Sequence, residues 1–353
     1  MMRNKAIKPQ EDTQTKLFLA QCTAGLQDFV AEQLELDFSA VDIAHTEEGL
    51  VVFSGSGIDV KNIPYTNNLF HVLQPLKSGS MDGLLTSCAH ETRWHQTAQQ
   101  SMSKNEKSFR LFLSDENRLV SADHVKLDKL IWQIEQQCGL RHTSHRPDTE
   151  FWLFKRRGGT AYFCKRLTKN RMTEKDLKPG TLRPELAQTL CLMSEPSAKD
   201  IFLDPFAGSG AIALARKAWP YEMMFVSDIA PEKVQLIKKN IPHTKKPIIV
   251  RTADALNLDK IEDGFIDKIV TDPPWGLFDK TIKDIPDFYK NALKEMCRVV
   301  KPDGLIVMLT AQRELIADLS RHFSGLISLE HRYDILVSGK KASIVKWRRS
   351  HGA

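Results

Sequence analysis

The segment TDPPWG, residues 271–276, gathers residue types that could do chemistry. Two consecutive prolines cannot donate to a sheet and fix φ, so a strand must stop there and carry a stiff loop with outward-facing carbonyls. Such a loop suits an exocyclic amine conjugated with a base ring, which is a poor nucleophile. Asp272 and a carbonyl of Pro273 or Pro274 can accept its hydrogens while its lone pair turns towards an electrophile. Trp275 would stack on the base plane. A plain strand-ending turn and a buried core tryptophan are the competing readings.

The second segment is LDPFAGSGAIA, residues 203–213, directly after an apolar strand and before a helix. Gly208 and Gly210 allow a tight turn and close backbone approach to a ligand, with Phe206, Ala207 and Ser209 as its walls, while the helix behind offers free N–H groups. The same spacing fits the G-x-G-x-x-A of a dinucleotide turn. Asp228, after the next strand and followed by Ile229, is placed to accept from a ribose under either reading. Asp204 separates them: a carboxylate beside a pyrophosphate is repelled, whereas one beside the cationic methionine part of S-adenosylmethionine is tolerated or helpful. The methyl donor is therefore the expected cofactor. Asp254 and Ala255, in TADAL, would meet the adenine, unless Asp254 is only a surface turn acid. Arg183 and Glu185, at a helix start in GTLRPELAQTL, can cover the cofactor's methionine end or simply begin the helix.

These residues need a scaffold that brings strand ends together. Downstream of residue 170, short apolar runs (Ile201–Leu203, Glu222–Val226, Ile248–Val250, Lys268–Thr271, Leu305–Leu309) alternate with helical stretches such as Pro231–Asn240 and Phe288–Val299. That pattern is a doubly wound α/β sheet, with ligands at the strand ends. A helix over Arg313–Phe323 and two extended runs, Glu330–Val337 and Ser343–Trp347, predict a terminal β-hairpin on the sheet edge. Upstream, strands at Lys16–Cys22, Leu50–Phe53, Ser108–Leu113, Glu150–Lys155 and Thr160–Arg166, with helices at Leu26–Leu34 and His124–Cys138, make the N-terminal half α+β, in one or two small units.

With 353 residues, 42% hydrophobic and 27% charged, the chain has the composition of globular protein and more length than one core serves. No apolar run approaches the ~20 residues of a membrane span, and the polar first fifteen residues read as a disordered tail without a secretion signal, which places the protein in the cytoplasm. Six scattered cysteines show neither a C-x-x-C pair nor metal-ligand spacing. The net charge of +6 permits a polyanionic partner. Nine Lys or Arg residues against two acids lie between Lys155 and Lys178. Lys155, Arg156, Arg157, Lys165, Arg166, Lys169 and Arg171 are therefore candidate phosphate contacts, or else a solvated linker.

With DPFAGSG, SDIAP, TADA and TDPPWG in this order, the C-terminal half resembles the class I methyltransferases of exocyclic base amines. LRPELA ahead of the glycine turn makes it more similar to the THUMP-domain RNA methyltransferases, which act on guanosine N2 in tRNA or rRNA. FLAQCTAGLQDFVAEQL and GLVVFSG resemble that family's ferredoxin-like unit, and SFRLFL, RPDTEFWLF and TAYFCKRL its THUMP module. The resemblance implies a ferredoxin-like domain over 16–84, THUMP over 85–168, a linker over 169–180 and a Rossmann-like methyltransferase domain over 181–353. It also implies a tRNA substrate bound near its acceptor stem, with catalytic Asp272, Pro273, Pro274 and Trp275 and cofactor contacts at Asp228 and Asp254. Trp275 stands where the family more usually has Tyr or Phe. Ribosomal RNA and adenine N6 are the alternative targets; a monomer without metal is expected, since methyl transfer from a sulfonium needs no Lewis acid.

Overall fold

The computed structural model describes residues 15–59, 63–77, 79–91, 93–168, 181–241, 244–276 and 282–351. The chain separates into two compact units: one holds the described residues up to 168 apart from Thr23–Leu26, and the other those four and the described residues from 181 on.

The first unit contains strands β1 (Lys16–Gln21), β2 (Asp42–Glu47), β3 (Leu50–Gly55), β4 (Asn68–Lys77), β5 (Ser108–Asp115), β6 (Arg118–Leu119), β7 (Arg141–His142), β8 (Thr149–Lys155) and β9 (Thr160–Arg166). Its helices are α1 (Gln27–Asp37), α2 (Met81–His90), α3 (Arg93–Gln100) and α4 (His124–Cys138). All nine strands join one sheet, ordered β2-β3-β1-β4-β9-β8-β5-β6, with β7 also on β5. β4, from the stretch expected to be ferredoxin-like, pairs with β9, from the stretch expected to be THUMP, through Phe70↔Arg166 to Lys77↔Thr160. The two stretches thus share one sheet. A core of Leu84, Leu85, Trp94, Leu130, Ile134, Phe109, Phe151, Leu153 and Phe163 joins α2, α3 and α4 to the strands. α4 starts where Asp123 accepts from the Lys126 amide at 3.0 Å and stops at Gly139, whose φ of 65° suits glycine.

The second unit contains α5 (Pro184–Met193), β10 (Ile201–Asp204), α6 (Ala211–Arg216), β11 (Met223–Asp228), α7 (Pro231–Asn240), β12 (Ile248–Thr252), β13 (Ile266–Thr271), α8 (Ile285–Val299), β14 (Val300–Thr310), α9 (Leu315–His322), β15 (Ile327–Val337) and β16 (Lys340–Arg349). Its sheet runs β12-β11-β10-β13-β14-β16-β15. The first five strands are parallel, and β16 is antiparallel to both neighbours, which makes the expected terminal hairpin. Continuous apolar runs such as Leu305–Leu309 are what a strand covered on both faces requires. α8 buries Tyr289, Ala292, Leu293, Met296 and Cys297, the three-and-four spacing of one helix face, into a core with Leu203, Ile269, Ile306 and Trp347. Chain order reverses between β10 and β13, and the crevice at such a switch point is where a ligand sits in open α/β sheets.

Helices α2 and α3 and strands β2, β4, β6 and β7 are not among the elements expected from the sequence. α2 carries an internal glycine, β2 alternates only between exposed and half-buried residues, and β4 contains Pro75. Pairing with neighbours, not local preference, makes these strands.

Candidate active site

Thr271, Asp272 and the prolines lie at the C-terminal end of β13, directly beside the end of β10. The Thr271 hydroxyl donates to Asp204 Oδ1 at 3.0 Å, tying the two strand ends together, and the Phe206 amide donates to the same oxygen at 3.3 Å. Asp204 is fully buried, and its Oδ2 has no hydrogen-bond partner among the described residues. Burial, opposed by those two hydrogen bonds and reinforced by the neighbouring charges of Asp272 and Asp228, pushes its carboxyl up from 3.8 to about 8. Burial raises Asp272 to about 7, against the lowering effect of a hydrogen bond that its Oδ1 accepts from Trp275 Nε1 at 2.8 Å.

The glycine turn is held from the next strand. Gly208 (φ 53°) and Gly210 (φ 83°) occupy the left-handed region, and a Cβ on Gly210 would meet Ile237 Cγ1 at 3.2 Å. Asp228 Oδ2 accepts from the Gly208 amide at 2.8 Å and Oδ1 from the Ala230 amide at 3.0 Å, while the Ala207 amide donates to Ser227 O at 2.9 Å. Asp228 therefore braces the turn first. A carboxylate has about four acceptor positions, so capacity remains for ribose hydroxyls. Ile229 is 67% exposed beside it, the kind of side chain an adenine could cover.

Asp254 is exposed, with Oδ1 accepting from the Leu256 amide at 2.9 Å, and Ala255 is buried. Its amide neighbour Ala253 donates to Asp228 O at 3.2 Å, which keeps the two acids on adjacent strand ends. Arg183 and Glu185 sit at the start of α5, with Arg183 Nε 3.6 Å from the buried Glu185 carboxylate. Phe206, expected as a wall of the turn, packs against Phe288 with ring centroids 5.7 Å apart. Ser209 is half-buried within the turn.

The DPPW loop is clamped by residues that its own sequence did not advertise. Tyr289 donates to Pro274 O at 3.1 Å and meets Thr310 Oγ1 at 2.8 Å; Gln312 Nε2 donates to Trp275 O at 2.5 Å. Gly276 has φ 70° with Ile285 packed where its Cβ would be. Thr310 ends the fifth parallel strand and Gln312 follows two residues later, and that position was the one available signal. With the Pro274 and Trp275 carbonyls taken, Pro273 O is the proline carbonyl of the loop to which no described residue donates.

In the first unit the seven basic candidates part company. Arg156 is buried and bound to Glu47, Asn117 Oδ1 at 2.6 Å and Glu48 O at 3.0 Å; Lys165 is 2% exposed, 2.7 Å from Glu106 and from Ser101 O. Their expected role as phosphate contacts is corrected: each cation neutralises a carboxylate inside the unit and has no surface to offer. Lys155 pairs with Asp115 at 2.8 Å and Arg166 with Glu150 at 3.0 Å, both half-buried, whereas Arg157 is 86% exposed beside Glu116. Lys169, Arg171, the expected linker 169–180 and all but the last residue of the expected tail lie outside the described residues. Among the described residues no group of His, Cys, Asp or Glu is placed to hold a metal ion, and no helix is long and apolar enough to cross a membrane.

A parallel sheet of this order with an antiparallel hairpin, a glycine turn on β10 and an acid after β11 is the Rossmann-like methyltransferase fold. Residues 171–326 match the family model described as UPF0020: RMKL-like, methyltransferase domain. Among curated proteins, the chain is 28% identical over 186 residues to the tRNA (guanine(6)-N(2))-methyltransferase THUMP3 of Bos taurus, covering 49% of this chain and 37% of that protein. It is 26% identical over 172 residues to the tRNA (guanine(10)-N2)-dimethyltransferase of Methanothermobacter thermautotrophicus, covering 48% of this chain and 49% of that one. These matches span half or less of the relatives' length. The crystal structure of TrmN from Thermus thermophilus superposes with a TM-score of 0.73 at 19% identity, over 95% of this chain and all of that one, a likeness of fold.

Proposed function

We propose that this chain transfers a methyl group from S-adenosylmethionine to the exocyclic N2 amine of a guanosine in tRNA, in the acceptor-stem region. The observation that carries the reading is the stiff Asp272-Pro273-Pro274-Trp275 loop beside a glycine turn, where Asp204 and Asp272 have no cation partner among the described residues and Asp228 has only Lys233, 3.8 Å away. A fully buried Asp204 with an orphaned Oδ2, close enough to Asp228 and Asp272 to be raised by their charge, suits a cationic ligand and disfavours a pyrophosphate. Gly208 and Gly210 leave room for close approach, Asp228 and Asp254 would take the ribose and adenine polar edges, and Arg183 and Glu185 would close the methionine end.

S-adenosylmethionine supplies an electrophilic methyl group on a sulfonium. Asp272 and Pro273 O accept the two hydrogens of the base amine, which turns its lone pair out of conjugation and towards the methyl carbon. Trp275 stacks on the base and excludes water from that face. As the N–CH3 bond forms and the S–CH3 bond breaks, the surplus amine proton passes to Asp272, whose carboxyl near 7 is matched to proton transfer at neutral pH. No metal is needed for this displacement.

The first unit takes the RNA under this reading, as a ferredoxin-like and a THUMP segment sharing one sheet, with Lys155, Arg157 and Arg166 its remaining described cations from the basic stretch. The relatives named as tRNA guanine N2-methyltransferases and the methyltransferase fold support the assignment; a monomer in the cytoplasm completes it. The test incubates the protein with radiolabelled S-adenosylmethionine and unmodified tRNA, then identifies the labelled nucleoside. N2-methylguanosine is the expected product. N6-methyladenosine would move the target to adenine, and no label with any tRNA would redirect the search to ribosomal RNA.

A further inference from the structure

The motif's aromatic residue is a tryptophan, whose indole puts an N–H donor on the side of the ring, where Phe has none and Tyr carries its hydroxyl only at the far end. Trp275 Nε1 donates to Asp272 Oδ1 at 2.8 Å, within the loop and three residues away. The backbone on either side of the indole is fixed: Tyr289 holds Pro274 O, Gln312 holds Trp275 O, and Ile285 fills the space beside Gly276. The backbone that carries the ring is thus held in place, and the carboxylate the indole bonds has one oxygen occupied.

We infer that Trp275 is a positioning residue for Asp272: its indole N–H pins Oδ1 and fixes the carboxylate plane, leaving Oδ2 as the oxygen that takes the amine hydrogen of the substrate base. The inference rests on the function proposed above for Asp272 and deepens it by assigning the two carboxylate oxygens different tasks. A hydrogen bond to a charged acceptor is among the stronger ones and sets direction as well as energy. It also holds the Asp272 carboxyl below where burial alone would put it, so more of the group is ionised at neutral pH. A phenylalanine would preserve the stacking face and forfeit both effects, and a tyrosine, whose hydroxyl projects from the end of the ring instead of its side, would not reproduce the same hydrogen bond.

Two measurements on the full chain test this. In a 1H–15N correlation spectrum of the ligand-free protein, the Trp275 indole resonance, assigned by its absence in Trp275→Phe, moves with the titration of Asp272 near pH 7 and is displaced in Asp272→Ala. In turnover assays, Trp275→Phe and Trp275→Tyr each lose about tenfold in kcat, the loss expected of one charged hydrogen bond, with cofactor Kd unchanged. The acid limb of their pH–rate profile moves to higher pH, because removing the hydrogen bond raises the carboxyl. A merely structural indole would move stability and leave that limb in place. An indole resonance indifferent to Asp272, or a Phe or Tyr variant at or above wild-type kcat, overturns the inference. A wild-type protein that labels no RNA yet shows the indole coupling supports the pinning and sinks the proposed substrate instead.

Discussion

Asp204→Asn is the perturbation that weighs the cost of the carboxylate cluster. A group whose folded pKa is raised keeps its full contribution only below its unfolded value, near 3.8 here, and loses it as pH climbs towards about 8. At 1.36 kcal/mol for each tenfold, the penalty on the wild-type fold is about 2 kcal/mol at pH 5.5 and about 5 kcal/mol at pH 8. Asparagine keeps the acceptor for Thr271 and Phe206 but has no charge to bury. Its amide nitrogen, where Oδ2 now lies without a partner, adds a pH-independent cost on the order of 1–3 kcal/mol. Thermal unfolding without cofactor is the assay, run on both proteins at pH 5.5 and pH 8. The advantage of Asp204→Asn over wild type should grow by about 3 kcal/mol across that interval, or roughly 6–12 °C in Tm at about 2–4 °C per kcal/mol for a domain of this size. A Tm difference independent of pH would refute the reasoning, because it would mean that Asp204 is not held neutral in the fold. The same variant should bind S-adenosylmethionine more weakly by calorimetry above about pH 8, where the wild-type carboxyl is ionised and a cation then meets one carboxylate fewer.

Asp272→Ala should abolish turnover while leaving cofactor affinity within about threefold, checked by calorimetry beside the labelling assay, because it removes an amine acceptor and no strand contact. Gly210→Ala places a Cβ at φ 83° and 3.2 Å from Ile237, and should lower stability by about 1–2 kcal/mol in urea unfolding and weaken cofactor binding together. Arg156→Ala leaves Glu47 without its buried partner and should cost about 3–5 kcal/mol in the same assay, whereas Arg157→Glu should leave stability within about 0.5 kcal/mol and reduce the salt dependence of RNA binding measured by filter retention.

Most of the second unit's plan could be read along the chain. Apolar runs separated by helical stretches fix a doubly wound sheet because both faces of each central strand must be covered, and β10, β11, β12, β13, β14 and the hairpin fall where those runs lie. The first unit was less legible. β4 carries Pro75 and β2 has no buried residue, so neither shows the local pattern of a strand until β9 and β3 pair with them.

The candidate site divides the same way. By itself the sequence determined where the backbone must turn and stop: Gly208 and Gly210 adopt conformations that side chains resist, and two prolines end β13 after Asp272, all of it local stereochemistry. Only the tertiary structure decided which charges are available. Arg156 and Lys165 read as surface cations and are consumed by Glu47 and Glu106, and Asp204, Asp228 and Asp272 become one electrostatic group because three strand ends meet. Partners such as Tyr289 and Gln312, 15 and 37 residues beyond the loop carbonyls they hold, come from strand order and helix packing. Charge, exposure and hydrogen-bond partnership depend on neighbours in space, which the order of residues along the chain does not display.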